Sequence, residues 1–245
     1  MCTLIIATGV AGLPDLFVIS NRDEFYDRPA ARPSVFRRDS MKILAPVDKR
    51  AGGTWIGVNA RGVFAGITNR FRMPKKPEHR SRGELPFAAL EQPTAKAAAQ
   101  VISAVDPGRY NGFHLVLADA DGACVVWNDG QRLRREKLSA GVHVITERSF
   151  GAAPSPRLDR LAERIGKLDS GKEDLRGMFR RWMVEHDDED PLESTCVHFE
   201  EQNYGTRSST IVEVGQRWRF RHADGPPCTA EYGDYSEELA ELRRG

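Results

Sequence analysis

Met1-Cys2-Thr3-Leu4-Ile5-Ile6-Ala7-Thr8 opens the chain, and a second apolar run, Leu16-Phe17-Val18-Ile19-Ser20, leads into Asn21-Arg22-Asp23-Glu24. Both runs are rich in β-favouring residues, and Gly9-Val10-Ala11-Gly12-Leu13-Pro14 between them is a cluster of turn formers. They predict an antiparallel hairpin. With the turn centred near Ala11, paired residue numbers sum to about 22–24. Cys2 is then level with Ser20–Arg22, and the polar tetrad begins where it can reach the amino terminus.

Cysteine is small enough at position 2 for the initiator Met1 to be trimmed, which leaves a thiol and an α-amine on one residue. An α-amine titrates at about 7.7–8.0 and a free thiol at about 8.5, so the amine can take the thiol's proton near neutral pH. Nucleophile and base then share a residue. A thiol nucleophile also needs a stabilised thiolate, a held substrate and donors for an oxyanion. Arg22 or Arg207 near Cys2 is expected to depress the thiol pKa, and Asp23 to hold the ammonium or position an arginine. Asn69 offers a carboxamide to an oxyanion. Tyr204-Gly205-Thr206-Arg207-Ser208-Ser209-Thr210 reads as a tight turn delivering Arg207 into a strand.

Further along, Gly52–Asn59 and Val63–Thr68 flank Ala60-Arg61-Gly62 and predict a second hairpin, its register placing Asn69 level with Gly53. Paired glycines there permit close backbone approach to a ligand. Arg70–Arg82 is a basic loop (Arg70, Arg72, Lys75, Lys76, Arg80, Arg82) that reads as solvated surface or as a flap over an anionic group. Helical patterns cover 83–91 and 94–105, with Thr94 as N-cap, then 156–168, 172–186 and 235–244. Strands are expected at 112–118, 123–128, 142–146, 208–214 and 218–222. No linker, low-complexity tract or repeat intervenes, so one domain over 1–245 is expected, of layered α+β class.

Composition narrows the field. The 245 residues are 40% hydrophobic and 29% charged with a net charge of +1, which fits a globular chain and recommends no nucleic-acid partner. The basic loop carries no aromatic stacking platform. Cys2, Cys124, Cys196 and Cys228 show no C-x-x-C pair, and the six histidines no ligand pattern, so no metal site is expected. The start lacks a basic n-region, Gly9, Gly12 and Pro14 interrupt it, and no segment reaches the ~20 apolar residues of a bilayer span. A reduced, cytoplasmic setting without membrane insertion follows as the expectation.

Several of these residues fall into motifs that together resemble the NRDE (transport and Golgi organisation) family. The motifs are Met1-Cys2, Asn21-Arg22-Asp23-Glu24-Phe25-Tyr26, Arg28-Pro29, Gly52-Gly53-Thr54-Trp55, Thr68-Asn69, Arg82-Gly83-Glu84-Leu85, Asn111-Gly112-Phe113 and Gly205-Thr206-Arg207. That family is in turn similar to N-terminal-nucleophile hydrolases of the choloylglycine and penicillin V acylase type. The resemblance implies a four-layer αββα sandwich of antiparallel sheets. It also implies a catalytic set of Cys2, Arg22, Asp23, Asn69 and Arg207, with Asn21, Glu24, Gly53, Thr54, Trp55 and Glu147 as ligand-binding residues. Glu147 is a departure: those hydrolases place an asparagine donor there, whereas an ionised carboxylate cannot donate and repels an oxyanion.

Two functions stay open on this reading. One is a cysteine amidohydrolase cleaving the linear C–N amide bond of an N-acyl ligand, with no cofactor required. The other is a non-catalytic carrier of a small amphipathic anion, in line with the haem trafficking or lipid and acyl-CoA handling the resemblance implies. Haem would then be cargo, its propionates clamped by Arg22 and the basic loop, with His79 or His114 as axial ligand.

Overall fold

A computed structural model of the chain describes residues 2–71, 73, 76–169 and 174–244. Met1, Arg72 and Lys75, and Lys172 at the start of an expected helix, lie outside them.

In chain order the strands are β1 (Cys2–Thr8), β2 (Leu16–Phe25), β3 (Ala30–Arg38), β4 (Met41–Asp48), β5 (Ile56–Asn59), β6 (Phe64–Asn69), β7 (Phe113–Asp119), β8 (Gly122–Asn128), β9 (Leu133–Leu138), β10 (Gly141–Thr146), β11 (His198–Phe199), β12 (Tyr204–Val214), β13 (Arg219–Ala223) and β14 (Gly233–Asp234). The helices are α1 (Glu84–Leu90), α2 (Ala95–Ser103), α3 (Pro156–Gly166), α4 (Leu175–Trp182) and α5 (Ser236–Arg243). Two compact units emerge: one from the chain as far as Arg28 together with Ala140–Tyr235, the other from Pro29–Ser139 together with the chain from Ser236. Each holds one antiparallel sheet and its own helices, so the chain has the expected α+β class.

The first unit carries the sheet β10-β1-β2-β12-β13-β14, with β11 added to β12. The leading hairpin pairs Cys2 with Arg22 and Thr8 with Leu16, within the expected register. Ile5, Ala7, Phe17 and Ile19 pack on one face against Leu161 of α3 and Leu175, Phe179 and Trp182 of α4. The Phe17 and Phe179 rings lie 5.7 Å apart. Because side chains alternate along a strand, Thr3, Asn21 and Asp23 share this helix-covered face, while Cys2, Arg22 and Glu24 share the other.

The second unit carries β3-β4-β5-β6-β7-β8-β9, with α1 and α2 burying Leu85, Leu90, Ala98 and Ile102 against Ile43, Ala65 and Leu115. Thr94 caps α2 as expected, its hydroxyl accepting from the Ala97 amide. The closing helix α5 is tied to β4 by Lys42, whose ammonium donates to the Glu241 and Arg244 carbonyls at 3.1 and 2.6 Å.

Two corrections concern local structure. Strands β3, β4 and β9 and the two-residue β11 and β14 were not expected; β3 breaks register between Ala31 and Ser34, around Pro33, and lies at the sheet edge where proline is tolerated. Residues 204–210 are strand rather than tight turn. The turn falls on Asn203, left-handed at φ 51°, and Arg207 is the extra residue of a bulge between Thr206↔Asp23 and Ser208↔Arg22. Among the described residues no helix is long and apolar enough to cross a membrane.

Candidate active site

Hairpin geometry places Cys2 at the start of β1, half-buried and across from Arg22. The backbone N–H of Asp23 donates to its sulfur. Burial pushes the Cys2 thiol above its ordinary value, the Asp23 carboxylate adds to that rise, and Arg22 opposes it. Arg22 depresses the thiol as expected, but the removal of water from a thiolate outweighs it, so the net shift is upward. Arg22 also reaches Glu24 at 3.7 Å, and Arg28 meets the same carboxylate at 3.6 Å. Arg207 is half-buried on its bulge, with an Nε atom that has no hydrogen-bond partner.

Beneath this strand lies a buried charge network. The Thr206 hydroxyl donates to Asp23 Oδ1 at 2.7 Å, and Arg157, wholly buried, stands 3.9 Å from Asp23 Oδ2. Arg157 gives its stronger bonds to Glu147, in a fork of 2.9 and 2.8 Å. Glu193 accepts the Arg157 amide at 2.9 Å and pairs with Arg148 at 2.9 Å. Asp23, Glu147 and Glu193 thus share Arg148 and Arg157, and Asp23 has the longest contact. Burial raises its carboxyl from the ordinary 3.8 to about 6, against the pull of positive charge including that of Arg157 and of the Thr206 hydroxyl bond. Glu147, for its part, is engaged by a guanidinium rather than left bare toward a substrate.

Asn21 serves as a brace. Its Nδ2 donates to the carbonyls of Met183 and Thr195, both at 2.8 Å, joining β2 to the segment after α4. Tyr204, half-buried, has its phenol held neutral by burial first and then by the negative charge of Asp23, so it is a donor at physiological pH.

Four of the expected site residues belong to the second unit. Asn69 ends β6 across from Phe113 of β7. Gly53 has an internal reason to be glycine: a Cβ there would come within 2.4 Å of the Gly83 backbone, and the two segments are stitched by Thr54 N–H to Gly83 O at 2.9 Å. The Thr54 hydroxyl donates to Ile56 O at 2.9 Å, and Trp55 is half-buried beside it. Among the described residues of the basic loop, Arg70 donates to His114 Nε2 at 2.8 Å, Arg80 pairs with Glu84, and Arg82 donates to Gly112 O. His114 also meets the Thr68 hydroxyl through Nδ1 at 3.2 Å. Both its ring nitrogens thus have side-chain partners within the second unit.

The sequence model of the Transport and Golgi organisation 2 family matches residues 1–223. The chain belongs to that family. Among curated Transport and Golgi organisation 2 homologues, the Mus musculus protein is 32% identical over 124 residues, covering 47% of this chain and 45% of that one. The Bos taurus protein is 34% identical over 125 residues, covering 48% and 45%. The chain spans about half the length of the curated relatives it matches.

Solved structures extend the likeness across nearly all of the chain. Penicillin V acylase from Agrobacterium tumefaciens gives a TM-score of 0.58 at 14% identity, covering 97% of this chain and 88% of that one. The Caenorhabditis elegans N-acylethanolamine-hydrolyzing acid amidase ortholog gives 0.59 at 12%, covering 100% and 98%. A mutant conjugated bile acid hydrolase from Clostridium perfringens gives 0.56 at 11%, covering 99% and 94%. At these identities the likeness establishes the fold, that of the N-terminal-nucleophile hydrolases.

Within this family member, sequence reasoning passed over Arg157 and Thr206. Thr206 was legible in principle, since it sits level with Asp23 once β2 and β12 pair. Arg157, one residue into an amphipathic helix, looks like any solvated helix arginine.

Proposed function

We propose that the chain is an N-terminal-nucleophile cysteine amidohydrolase acting on a linear N-acyl amide, with Cys2 as nucleophile after removal of Met1. The observation that carries this reading is the Cys2 sulfur, half-buried on the open end of β1, bonded by the Asp23 N–H and faced by Arg22. The sulfur attacks the amide carbonyl, forming the C–S bond while the carbonyl π pair moves onto oxygen and the thiol proton moves to the α-amine. Collapse of the tetrahedral intermediate breaks the C–N bond, and the ammonium returns that proton to the departing amine. Water then adds to the thioester, releasing the acid and restoring the thiol. Asp23, ionised above about 6, favours the ammonium, and Arg157 neutralises Glu147, whose charge would otherwise oppose an oxyanion. The named activities of the acylase and amidase neighbours support an N-acyl substrate class.

The test combines N-terminal analysis of the purified chain with intact mass after exposure to N-acyl amides. A Cys2 amino terminus, an acyl adduct and amine release are expected, the adduct and the release being abolished in Cys2→Ser. A retained Met1, or a wild type that forms no adduct and frees no amine, removes the reading.

A second reading draws on the same thiol, which burial keeps protonated: binding of an amphipathic anion such as haem without turnover, Arg22 pairing with its carboxylate. Haem titration followed by absorbance separates the two. A spectral shift lost in Arg22→Ala supports carriage; no shift in the wild type ends it.

A further inference from the structure

Away from Cys2, the first unit draws four soft ligands from three segments into one cluster. His186 follows α4, Cys196 and His198 flank the start of β11, and Cys228 lies in the loop after β13. One ligand atom from each lies within 4.8 Å of all the others. Cys196 Sγ stands 3.5 Å from Cys228 Sγ and 3.7 Å from His198 Nε2, and Cys228 Sγ stands 3.3 Å from the same nitrogen. Zinc held tetrahedrally at about 2.3 Å from sulfur and 2.0–2.1 Å from nitrogen requires ligand–ligand edges of roughly 3.4–3.8 Å. The three edges agree with that figure to within a few tenths of an ångström.

We infer that His186, Cys196, His198 and Cys228 bind one zinc ion in a closed tetrahedral site. The outer contacts of both imidazoles support it. His186 Nδ1 lies 2.9 Å from the Cys196 carbonyl; a carbonyl only accepts, so the proton is on Nδ1 and the Nε2 lone pair is left for a metal. His198 turns Nδ1 toward the Glu200 carboxylate at 3.7 Å and Nε2 toward the two sulfurs. Metal-bound histidines characteristically donate their second nitrogen to such oxygens. Two thiolates with two imidazoles are a zinc donor set, and four protein ligands leave no open position, which marks the site as structural. A two-iron cluster with mixed ligation is a poor match, because it puts its cysteines and histidines on different irons, whereas here one nitrogen touches both sulfurs. An open pocket lined by His186, Asp187, Asp188, His198 and Cys228 gives entry, and its two aspartates favour a cation.

The site braces the nucleophile strand. The carbonyls that hold Asn21 belong to Met183 and Thr195, just ahead of His186 and Cys196, and Arg157 donates to the Ser194 carbonyl at 3.0 Å. A metal joining both ends of the 186–198 segment to the 228 loop fixes the platform on which Asn21 and Arg157 rest.

The full chain, purified under reductant without chelator, is expected to contain roughly one zinc per molecule by elemental analysis. Cobalt(II) alone, added to chelator-stripped protein, is expected to give the intense visible bands of a tetrahedral ion with thiolate charge transfer. Cys228→Ser, in a half-buried loop, and His198→Gln should each lose the tetrahedral signature and the bound zinc, while Cys124→Ser, in the other unit, should keep both. The inference is overturned by zinc-free protein whose cobalt spectrum is that of the hydrated ion. It is equally overturned by a spectrum that Cys228→Ser leaves unchanged, or by a Cys196–Cys228 disulfide in the reduced preparation.

Discussion

Asp23 is the residue on which the first unit gives up stability. Its carboxyl titrates at about 6 in the fold against an ordinary 3.8, so folding favours the protonated form. The native state is then most favoured by this group below pH 4, and that contribution is lost as pH rises through 6. The difference corresponds to roughly 3 kcal/mol at neutral pH. Asp23→Asn, which keeps an acceptor for Thr206, should therefore raise Tm at pH 7.5, with the gain shrinking toward zero by pH 4; thermal unfolding across that range checks it. Arg157 has the opposite sign. Arg157→Met removes the forked partner of Glu147 and a buried cation beside Asp23 and should cost about 3–5 kcal/mol in denaturant unfolding, while adding Glu147→Met recovers much of the loss. At this scale the sequence disclosed Cys2 facing Arg22, because a hairpin register is simple arithmetic. It could not disclose which cation Asp23 and Glu147 share, since that partner comes from a helix 10 residues beyond Glu147 and is buried by tertiary packing alone.

Elements were legible where pattern and turn chemistry agree. The β1–β2 and β5–β6 hairpins, the Thr94-capped α2 and the closing α5 all follow from local signals. Some of the strands that escaped have sequences that argue against them. β9, Leu-Arg-Arg-Glu-Lys-Leu, exposes its four charged positions and is a sheet edge, so it carries no apolar alternation to read. The Gly53–Gly83 contact is the complementary case, a close approach of two backbone segments that only a fold reveals. Gly53→Ala should cost about 1–3 kcal/mol through overpacking, measured as a lower denaturant midpoint at unchanged m-value. Gly83→Ala, whose Cβ would stand 3.1 Å from the Gly53 backbone, should cost less.

Across the molecule, the His186, Cys196, His198 and Cys228 cluster was invisible for a reason of topology. His186 and Cys196 lie 10 residues apart, and Cys228 lies 30 beyond His198, with a strand pair intervening, so no compact spacing rule covers the set. The ladder between β2 and β12 is the longest in the first unit, running from Tyr204↔Phe25 to Val214↔Leu16. Hydrogen exchange read by mass spectrometry should find these two strands the slowest of that unit, with β13 and β14 opening earlier. That ladder joins residues that the ribosome makes far apart. At ~5–20 residues per second, roughly ten seconds to more than half a minute pass between emergence of β2 and arrival of β12. Throughout that interval a greasy hairpin edge waits without its mate, a natural client for a nascent-chain chaperone.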